Sequence, residues 1–279
     1  MSLIVWTKPA SYDRALAINP DYAATYTNRG NALSELNRVD EAIASHDSAI
    51  ALQPDLALPH FNRSLLLLLK GNYTSGWEEY EWRFRAGMEC MDSRRFQCPR
   101  WQGKDNLTGK TIFVHAEQGY GDTIQFLRYV LLLASRGARV LLDVQPSLLP
   151  LAQRIAGAAQ VFASGEVPSG LDFWSPLMSL SRAFGTTIAT VPCQVPYLAP
   201  DPLQAEAWRR RLAHLPGLRV GLVWAGGAHP NRPEPARMDR LRHAPPFRKS
   251  CGRLRTELRF ATEGRSGDAD LIAAARSRY

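Results

Sequence analysis

Two nine-residue stretches of this 279-residue chain repeat one another at a spacing of 34 residues. Residues 12–20 read YDRALAINP and residues 46–54 read HDSAIALQP, so one Asp, two Ala and one Pro recur in register. Self-similarity at a period of about 20 to 50 residues is typical of stacked helical units, each of which buries its apolar face only against a neighbour. The small residues let two helices approach closely, and the proline cannot continue the second helix. The period therefore predicts an array of helix pairs.

The stretch between the two prolines resembles the tetratricopeptide repeat. We predict helix A of the first pair over residues 23–36 and helix B over residues 39–52, then a second pair over residues 57–70 and 73–85. Residues 12–18 then form an orphan helix B. Because about three stacked units are usually needed for stability, it stays open whether upstream repeats were lost. The resemblance rests on small or apolar residues and one recurring amide: Gly30, Ala32, Leu33, Ala42, Ala49 and Ile50, with Asn28 recurring as Asn62.

The resemblance implies a peptide or protein partner on the repeat surface. The last predicted helix is rich in aromatic residues, which we expect to pack against the following domain, although a ligand-binding stripe is the alternative. Its acidic residues predict a solvated face. The aromatic residues are Trp77, Tyr80, Trp82 and Phe84, and the acidic ones are Glu78, Glu79 and Glu81.

After a polar and aromatic connector, the pattern changes to alternating strands and helices. Residues 110–116 and 138–144 predict two buried strands. A glycine loop over residues 118–122 and a helix over residues 123–136 separate them. A strand, a loop, a helix and a second strand form a βαβ unit, which implies a parallel sheet with a ligand crevice at the strand ends. The crevice should lie near residues 119–123.

The run GKTIFVHAEQGYGDTIQFLRYVLLLASRGARVLLDVQPSLLPL resembles the glycosyltransferase-like region that follows tetratricopeptide repeats in many bacterial proteins. That region is similar to the heptosyltransferases and, more distantly, to the O-linked N-acetylglucosamine transferases. The resemblance covers residues 77–227 and ends on GLRVGLVWAGG. It implies the GT-B architecture of two Rossmann-like lobes, and an activity that transfers a sugar from a nucleotide sugar.

In the heptosyltransferase-like family a Gly-Asp pair after the first strand lines the acceptor site, and its aspartate is a candidate general base. By this resemblance the base is Asp122, since a carboxylate within hydrogen-bond reach could take the proton of an acceptor hydroxyl. The alternative is that Asp122 only caps a helix beginning at Thr123. His115 and Glu117 flank the loop and either contact the acceptor or orient the loop. The candidate substrate-binding residues are His115, Gln118, Gly119, Tyr120, Gly121 and Thr123.

Cofactor and metal sites are not predicted. The G-x-G-D pattern lacks the full dinucleotide fingerprint. The four cysteines show neither a disulfide framework nor zinc-ligand spacing, which favours a reducing, cytoplasmic environment. No secretory signal is recognised, and the apolar run over residues 65–69 is too short for a membrane span of about 20 residues. The cysteines are Cys90, Cys98, Cys193 and Cys251.

The end of the chain lacks the pattern of a second lobe. Residues 232–279 hold 12 Lys and Arg against 6 Asp and Glu, which is most of the net charge of +8, so nucleic-acid binding would rest on this tail alone and is not favoured. A solvated tail is one interpretation. The other is a frameshift near residues 239–241, since a shifted frame lets residues 259–265 be read as a segment resembling the family's donor-phosphate site.

We therefore predict an α plus α/β fold in five parts. Residues 1–92 form tetratricopeptide helical repeats, 93–105 a connector, 106–216 the N-terminal Rossmann-like lobe, 217–230 the first strand of a truncated second lobe and 231–279 an irregular basic tail. Because the family's donor site lies mainly in the second lobe, we expect this fragment to be inactive, with a nucleotide sugar bound only by intact relatives. The alternative function is a protein–protein interaction module.

Overall fold

The computed structural model describes residues 3–87, 96–163 and 165–214, with side chains from residue 9 onward. All of them except residue 214 belong to one unit, Met1–Ala213. The predicted strand over residues 217–230, the tail over residues 231–279, Cys90 and Cys251 lie outside the described residues.

Five α-helices open the chain, as the repeat predicts. They are α1 Leu3–Ile18, α2 Ala23–Glu35, α3 Val39–Leu52, α4 Ala57–Leu69 and α5 Tyr73–Tyr80. The last one tightens into a 3-10 turn, Glu81–Phe84. The predicted pairs are confirmed, and the orphan helix is longer than predicted because α1 continues back through Pro9.

The turn inside each helix pair repeats with the sequence. Asn37 and Gly71, which are 34 residues apart, both have a positive φ, of 58° and 80°. The next amide in each case, of Arg38 or Asn72, donates to a carbonyl five residues earlier at 2.9 Å. Glycine and asparagine reach this left-handed conformation at least cost, so they end the first helix of each pair at the same point.

Ion pairs centred on two arginines, 34 residues apart, join neighbouring helices of the repeats; we call them the ion ladder. Arg29 bonds to Asp13 at 2.6 Å and to Ser45 at 2.5 Å. Arg63 bonds to Asp47 and Glu79, each at 2.5 Å. Arg29, on α2, therefore joins α1 to α3, and Arg63, on α4, joins α3 to α5. We call each arginine with its partners a rung; the second rung has one more carboxylate than the first.

Gly30 of α2 leaves room for the imidazole of His46 on α3. A methyl group at Gly30 would lie 2.6 Å from Cε1 of His46, which no ordinary side-chain contact allows. The imidazole is fully buried, and neither ring nitrogen has a hydrogen-bond partner among the described residues. Burial, with repulsion from Arg63, lowers the pKa of His46 to about 4.

The second half of this unit is a four-stranded parallel sheet, which confirms the predicted sheet type. The strands are β1 Thr111–His115, β2 Arg139–Asp143, β3 Ala158–Phe162 and β4 Phe173–Pro176. Their order across the sheet is β3-β2-β1-β4. Only β1 and β2 were expected as strands, since β3 is half-exposed and β4 is short and ends at a proline.

The predicted helix over residues 123–136 is two helices, α6 Tyr120–Phe126 and α7 Tyr129–Ser135. The first begins inside the predicted glycine loop. Gly119 precedes it with extended backbone, so Tyr120 and Gly121 already lie in the first helical turn. The short helices α8 Leu149–Ala152 and α9 Leu180–Ala183 and the exposed helix α10 Pro202–Leu212 complete the fold.

The two halves share one apolar core. Ile112 and Val114 of β1 pack with α6 and α7, and Phe61 and Tyr80 of the repeats belong to the same buried cluster. Trp77 meets Phe126 edge to face at 5.7 Å between ring centres. The aromatic face of the last repeat helix therefore packs against the sheet region, as expected. Over the part of the chain that the structure describes, no helix is both long and apolar enough to span a membrane.

Candidate functional site

The strand order places a crevice between β1 and β4. From β1 the chain moves outward to β2 and β3 and then returns to the other side of β1 with β4. Open parallel sheets bind ligands at such a reversal, outside the carboxyl ends of the strands. In this chain those ends are His115 and Pro176, and the segment after β1, residues 116–123, includes the first turn of α6.

This segment is held in place from two sides. The side-chain amide of Gln118 donates to the hydroxyl of Tyr80 in the repeats at 2.7 Å. On the other side, Gln145 after β2 donates to the backbone oxygen of Gln118 at 2.6 Å, and the hydroxyl of Thr123 donates to Gln145 at 3.0 Å. The side chains of Gln118 and Thr123 are therefore hydrogen-bonded to neighbouring elements of the protein.

Glu117 is the buried anchor of the segment. Its side chain is 3% exposed, and both of its oxygens accept hydrogen bonds from the guanidinium of Arg83, the shortest at 2.9 Å. It also accepts the amide of Met178, after β4, at 3.2 Å. Burial raises the pKa of Glu117 above its usual value, and the bonds from Arg83 oppose that rise. The sequence left open whether Glu117 contacts an acceptor or orients the loop. Its contacts with Arg83 and Met178 fit orientation of the loop.

Arg83 is the centre of a charged network between the repeats and the sheet. Its side chain is 1% exposed, and it also donates to the hydroxyl of Ser179 at 2.7 Å and to Glu81 at 2.9 Å. Glu81 in turn accepts from Ser179 and is paired with Arg100. A guanidinium can serve several partners in this way because it carries five N–H donors in a fixed plane.

The expectation of a solvated acidic face on the last repeat helix is therefore wrong. Glu79 is bonded to Arg63 and to the ring of His60, and Glu81 belongs to the network around Arg83. Glu78 is more exposed, yet it is paired with Arg182 at 2.6 Å. Arg83 is two residues from Glu81, but Arg63 and Arg182 lie 16 and 104 residues from their carboxylate partners, so the acidic run alone could not reveal those pairs.

Asp122 lies in the first turn of α6 and is half-buried. The alternative that it caps a helix beginning at Thr123 is wrong, because the helix begins at Tyr120 and its N-cap residue is Gly119. A carboxylate within the first helical turn is still favourable, because the free amides there carry partial positive charge. The role of Asp122 as a general base stays a prediction.

The remaining predicted site residues divide between a surface and a buried face. Gly119, Tyr120 and Gly121 are exposed, and the hydroxyl of Tyr120 lies 3.4 Å from that of Ser147. His115 is buried and stacks with the ring of Phe96 at 5.7 Å between ring centres. The structure therefore places Gly119, Tyr120 and Gly121 at the surface and His115 in the interior.

A cavity of about 300 Å³ lies beside His115 at the carboxyl ends of β1 and β4. Three aromatic side chains form much of its wall, and Arg100 and Glu117 supply its charged groups. Within the described ranges, no three His, Cys, Asp or Glu side chains are grouped so as to hold a metal ion. The lining residues are Phe84, Phe96, Arg100, His115, Glu117, Trp174 and Pro176.

The repeats carry a second candidate site, formed by matched stripes on α2 and α4. Residues 24, 28, 31 and 35 and their counterparts 58, 62, 65 and 69 each follow helical spacing along one side. Asn62 donates to Asn31 at 2.7 Å, so the two stripes adjoin. Leu65 and Leu69 stay 45% and 69% exposed. We call this surface the repeat stripe.

Sequence reasoning missed the arginine residues of both networks. Arg29 and Arg63 could have been found, because they recur at the repeat spacing of 34 residues. Arg83 offers no such signal, since its partners Glu117 and Ser179 are 34 and 96 residues away along the chain.

The tetratricopeptide repeat family matches residues 11–44, which confirms the predicted repeat. Protein FlbA of Caulobacter vibrioides is 31% identical to this chain over 237 residues, and the match covers 76% of this chain and 39% of FlbA. That coverage cannot be reached within the repeats alone, so the similarity includes the sheet region. The chain spans well under half of the length of this relative.

Two solved structures also share similarity with the chain. YrrB, a tetratricopeptide repeat protein with an unusual peptide-binding site, is 28% identical over 28% of this chain and 40% of its own, with a TM-score of 0.26. A mutant of the Thermobaculum terrenum O-GlcNAc transferase is 12% identical over 59% of this chain and 39% of its own, with a TM-score of 0.28.

Proposed function

We propose that this chain binds a polypeptide on the repeat stripe and carries, in its sheet region, one Rossmann-like lobe of a GT-B glycosyltransferase fold. In this proposal the repeats hold a protein acceptor beside residues 118–123. The observation that carries it is the repeat stripe, an exposed amide and leucine surface whose helices share a buried apolar core with the parallel α/β region.

Apart from Glu35, the repeat stripe is uncharged, which suits an extended, uncharged polypeptide. A carboxamide both donates and accepts hydrogen bonds, so Asn28, Asn31 and Asn62 can pair with peptide groups of any sequence. Leu58, Leu65 and Leu69 offer apolar contact along the same surface. Exposed apolar side chains that are grouped in this way commonly mark an interaction site.

The stripe ends next to the sheet region. Leu69 is its last residue, and a methyl group at Gly71 would lie 3.2 Å from Ile188, which is itself exposed. A polypeptide that follows the stripe would therefore leave it against the α/β unit. This arrangement supports delivery of an acceptor to the sheet region by the repeats.

For the lobe itself, the parallel sheet and the ordered segment after β1 support the proposal. Asp122 is the candidate general base, since a half-buried carboxylate could accept the proton of an acceptor hydroxyl. The described residues would supply only the acceptor side of the reaction. We expect a second lobe to hold the nucleotide sugar, because its diphosphate needs backbone amides and cations.

Peptide binding tests the proposal. An array of uncharged and charged synthetic peptides is probed with the full chain, and the affinities of the peptides that bind are measured by calorimetry. We expect uncharged peptides to bind, and Leu65→Glu and Asn62→Ala to weaken them at least tenfold. Leu203→Glu is the matched control, because Leu203 is exposed on α10, away from the repeats. Equal losses in Leu65→Glu and Leu203→Glu, or no binding at all, would contradict the proposal.

A further inference from the structure

The carboxyl ends of β1 and β4 are joined by the protein's own side chains, beside the cavity that Glu117 helps to line. Glu117 follows β1, and Met178 and Ser179 follow β4, so these residues lie where an open parallel sheet binds its ligand. Arg83 reaches this point from the 3-10 turn that ends the repeats, and it contacts Glu117 and Ser179 directly. The repeats therefore supply the group that joins the two strand ends.

From this geometry we propose that Arg83 is a positioning residue: it fixes residues 118–123, the part of the segment after β1 that includes the first turn of α6. The guanidinium of Arg83 donates hydrogen bonds to both oxygens of Glu117, and the same carboxylate accepts a hydrogen bond from the backbone amide of Met178. The next residue in the chain is Gln118, whose side chain bonds to Tyr80 at the end of α5, just before the turn that carries Arg83. The last turn of the repeats thus sets the start of α6.

The shape of the guanidinium, and not its charge alone, is what the proposal requires. A lysine would keep the positive charge, but its single ammonium cannot reproduce the planar pair of bonds to a carboxylate. Its three N–H donors diverge from one nitrogen atom, so they cannot match partners that are arranged around the plane of a guanidinium. Arg83→Lys is therefore expected to loosen the segment while the charge balance of the network is kept.

This inference deepens the proposed function, in that the segment it orders is the proposed acceptor site. The order of the segment can nevertheless be measured with no ligand present. Failure of peptide binding would leave the role of Arg83 intact, and failure of the Arg83 test would leave the repeat stripe intact. The two results are therefore separable.

Amide hydrogen exchange, followed by NMR on the full chain, provides the test. The reporting amides are those of Met178, bonded to Glu117, and Thr123, bonded to Gly119 in the first turn of α6. Val144 is a reference amide, since it bonds within the sheet. We expect Arg83→Lys to speed exchange at Met178 and Thr123 at least tenfold and to leave Val144 within about twofold.

Arg63→Lys is the matched control. The guanidinium of Arg63 also donates to both oxygens of a carboxylate, that of Glu79, but it lies in the ion ladder and not beside the segment after β1. Arg63→Lys should leave exchange at Met178 and Thr123 unchanged. Unchanged exchange at both reporting amides in Arg83→Lys, or an equal increase at Val144, would overturn the proposal, since the second result is a general loss of stability. If Arg83→Lys does not fold, Glu117→Gln is measured against the same expectations and the same overturning results.

Discussion

Acidification should destabilise the repeats through one residue, His46. Its imidazole is fully buried against Gly30 and has no hydrogen-bond partner among the described residues. Protonation would place a charge there without a partner, which burial strongly disfavours. The nearby guanidinium of Arg63 adds repulsion, and together these effects lower the pKa of His46 to about 4.

The size of the effect follows from the two pKa values. An unfolded histidine has a pKa of about 6.5, so between that pH and about 4 the unfolded chain binds a proton that the folded chain does not. The free energy of unfolding therefore falls as the pH is lowered through this window. Integration from pH 7 to pH 5 gives a loss of about 2 kcal/mol from this residue alone.

The assay compares the natural chain with His46→Phe, which keeps a buried ring but cannot take up a proton. Urea unfolding is followed by far-ultraviolet circular dichroism at several values between pH 7 and pH 5. The absolute stability of the variant reflects how well the new ring packs. The difference in pH dependence between the two proteins isolates His46, because all other titrating groups are shared.

We expect the free energy of unfolding of the natural chain to fall by about 2 kcal/mol more than that of His46→Phe. Parallel curves, within about 0.5 kcal/mol over the whole range, would refute the reasoning. Such a result would mean that the folded state accommodates the protonated imidazole.

Three further predictions concern packing and hydrogen bonds, each measured as a change in the free energy of unfolding. Gly30→Ala should destabilise by about 1–3 kcal/mol through overpacking, whereas Gly121→Ala, with open space around it, should be neutral or slightly stabilising. Arg63→Met should cost about 1–3 kcal/mol because it deprives two carboxylates of their guanidinium, whereas Arg38→Met removes only an exposed pair and should cost far less. Tyr80→Phe should cost about 1 kcal/mol, since its buried hydroxyl accepts a hydrogen bond at 2.7 Å. Equal costs within either pair, or no cost for Tyr80→Phe, would contradict these assignments.

The helical half could be predicted closely because its ends are marked locally. The observed α3, Val39–Leu52, agrees with the prediction at both ends, since Asn37 precedes it in a left-handed turn and Pro54 follows it. In the sheet region the strongly apolar β1 and β2 were found. The weaker β3 and β4 were not, because pairing with neighbouring strands and not their own pattern makes them strands.

The sequence predicted where residues 118–123 lie in the fold, but not the contacts that hold them. The sequence indicates that residues near Gly119 follow a buried strand, and the structure has them at the carboxyl end of β1. The contacts that order them come from Arg83 and Tyr80 in the repeats. Such long-range contacts depend on how the repeats pack against the sheet region. A single sequence carries no pattern that indicates this packing. The roles of residues 118–123 and Asp122 stay predictions.

The two arginines of the ion ladder have different partners, and this difference predicts the order in which the helices detach when the chain is pulled. The first rung, at Arg29, ends on a serine, whereas the second, at Arg63, ends on Glu79, on the helix that the Arg83 network joins to the sheet. A force pulling on α1 would meet the weaker rung first, because neighbouring repeats are held only by their shared interface. We therefore expect α1 to detach first and the pair of α2 and α3 next, while α4 and α5 stay attached to the sheet.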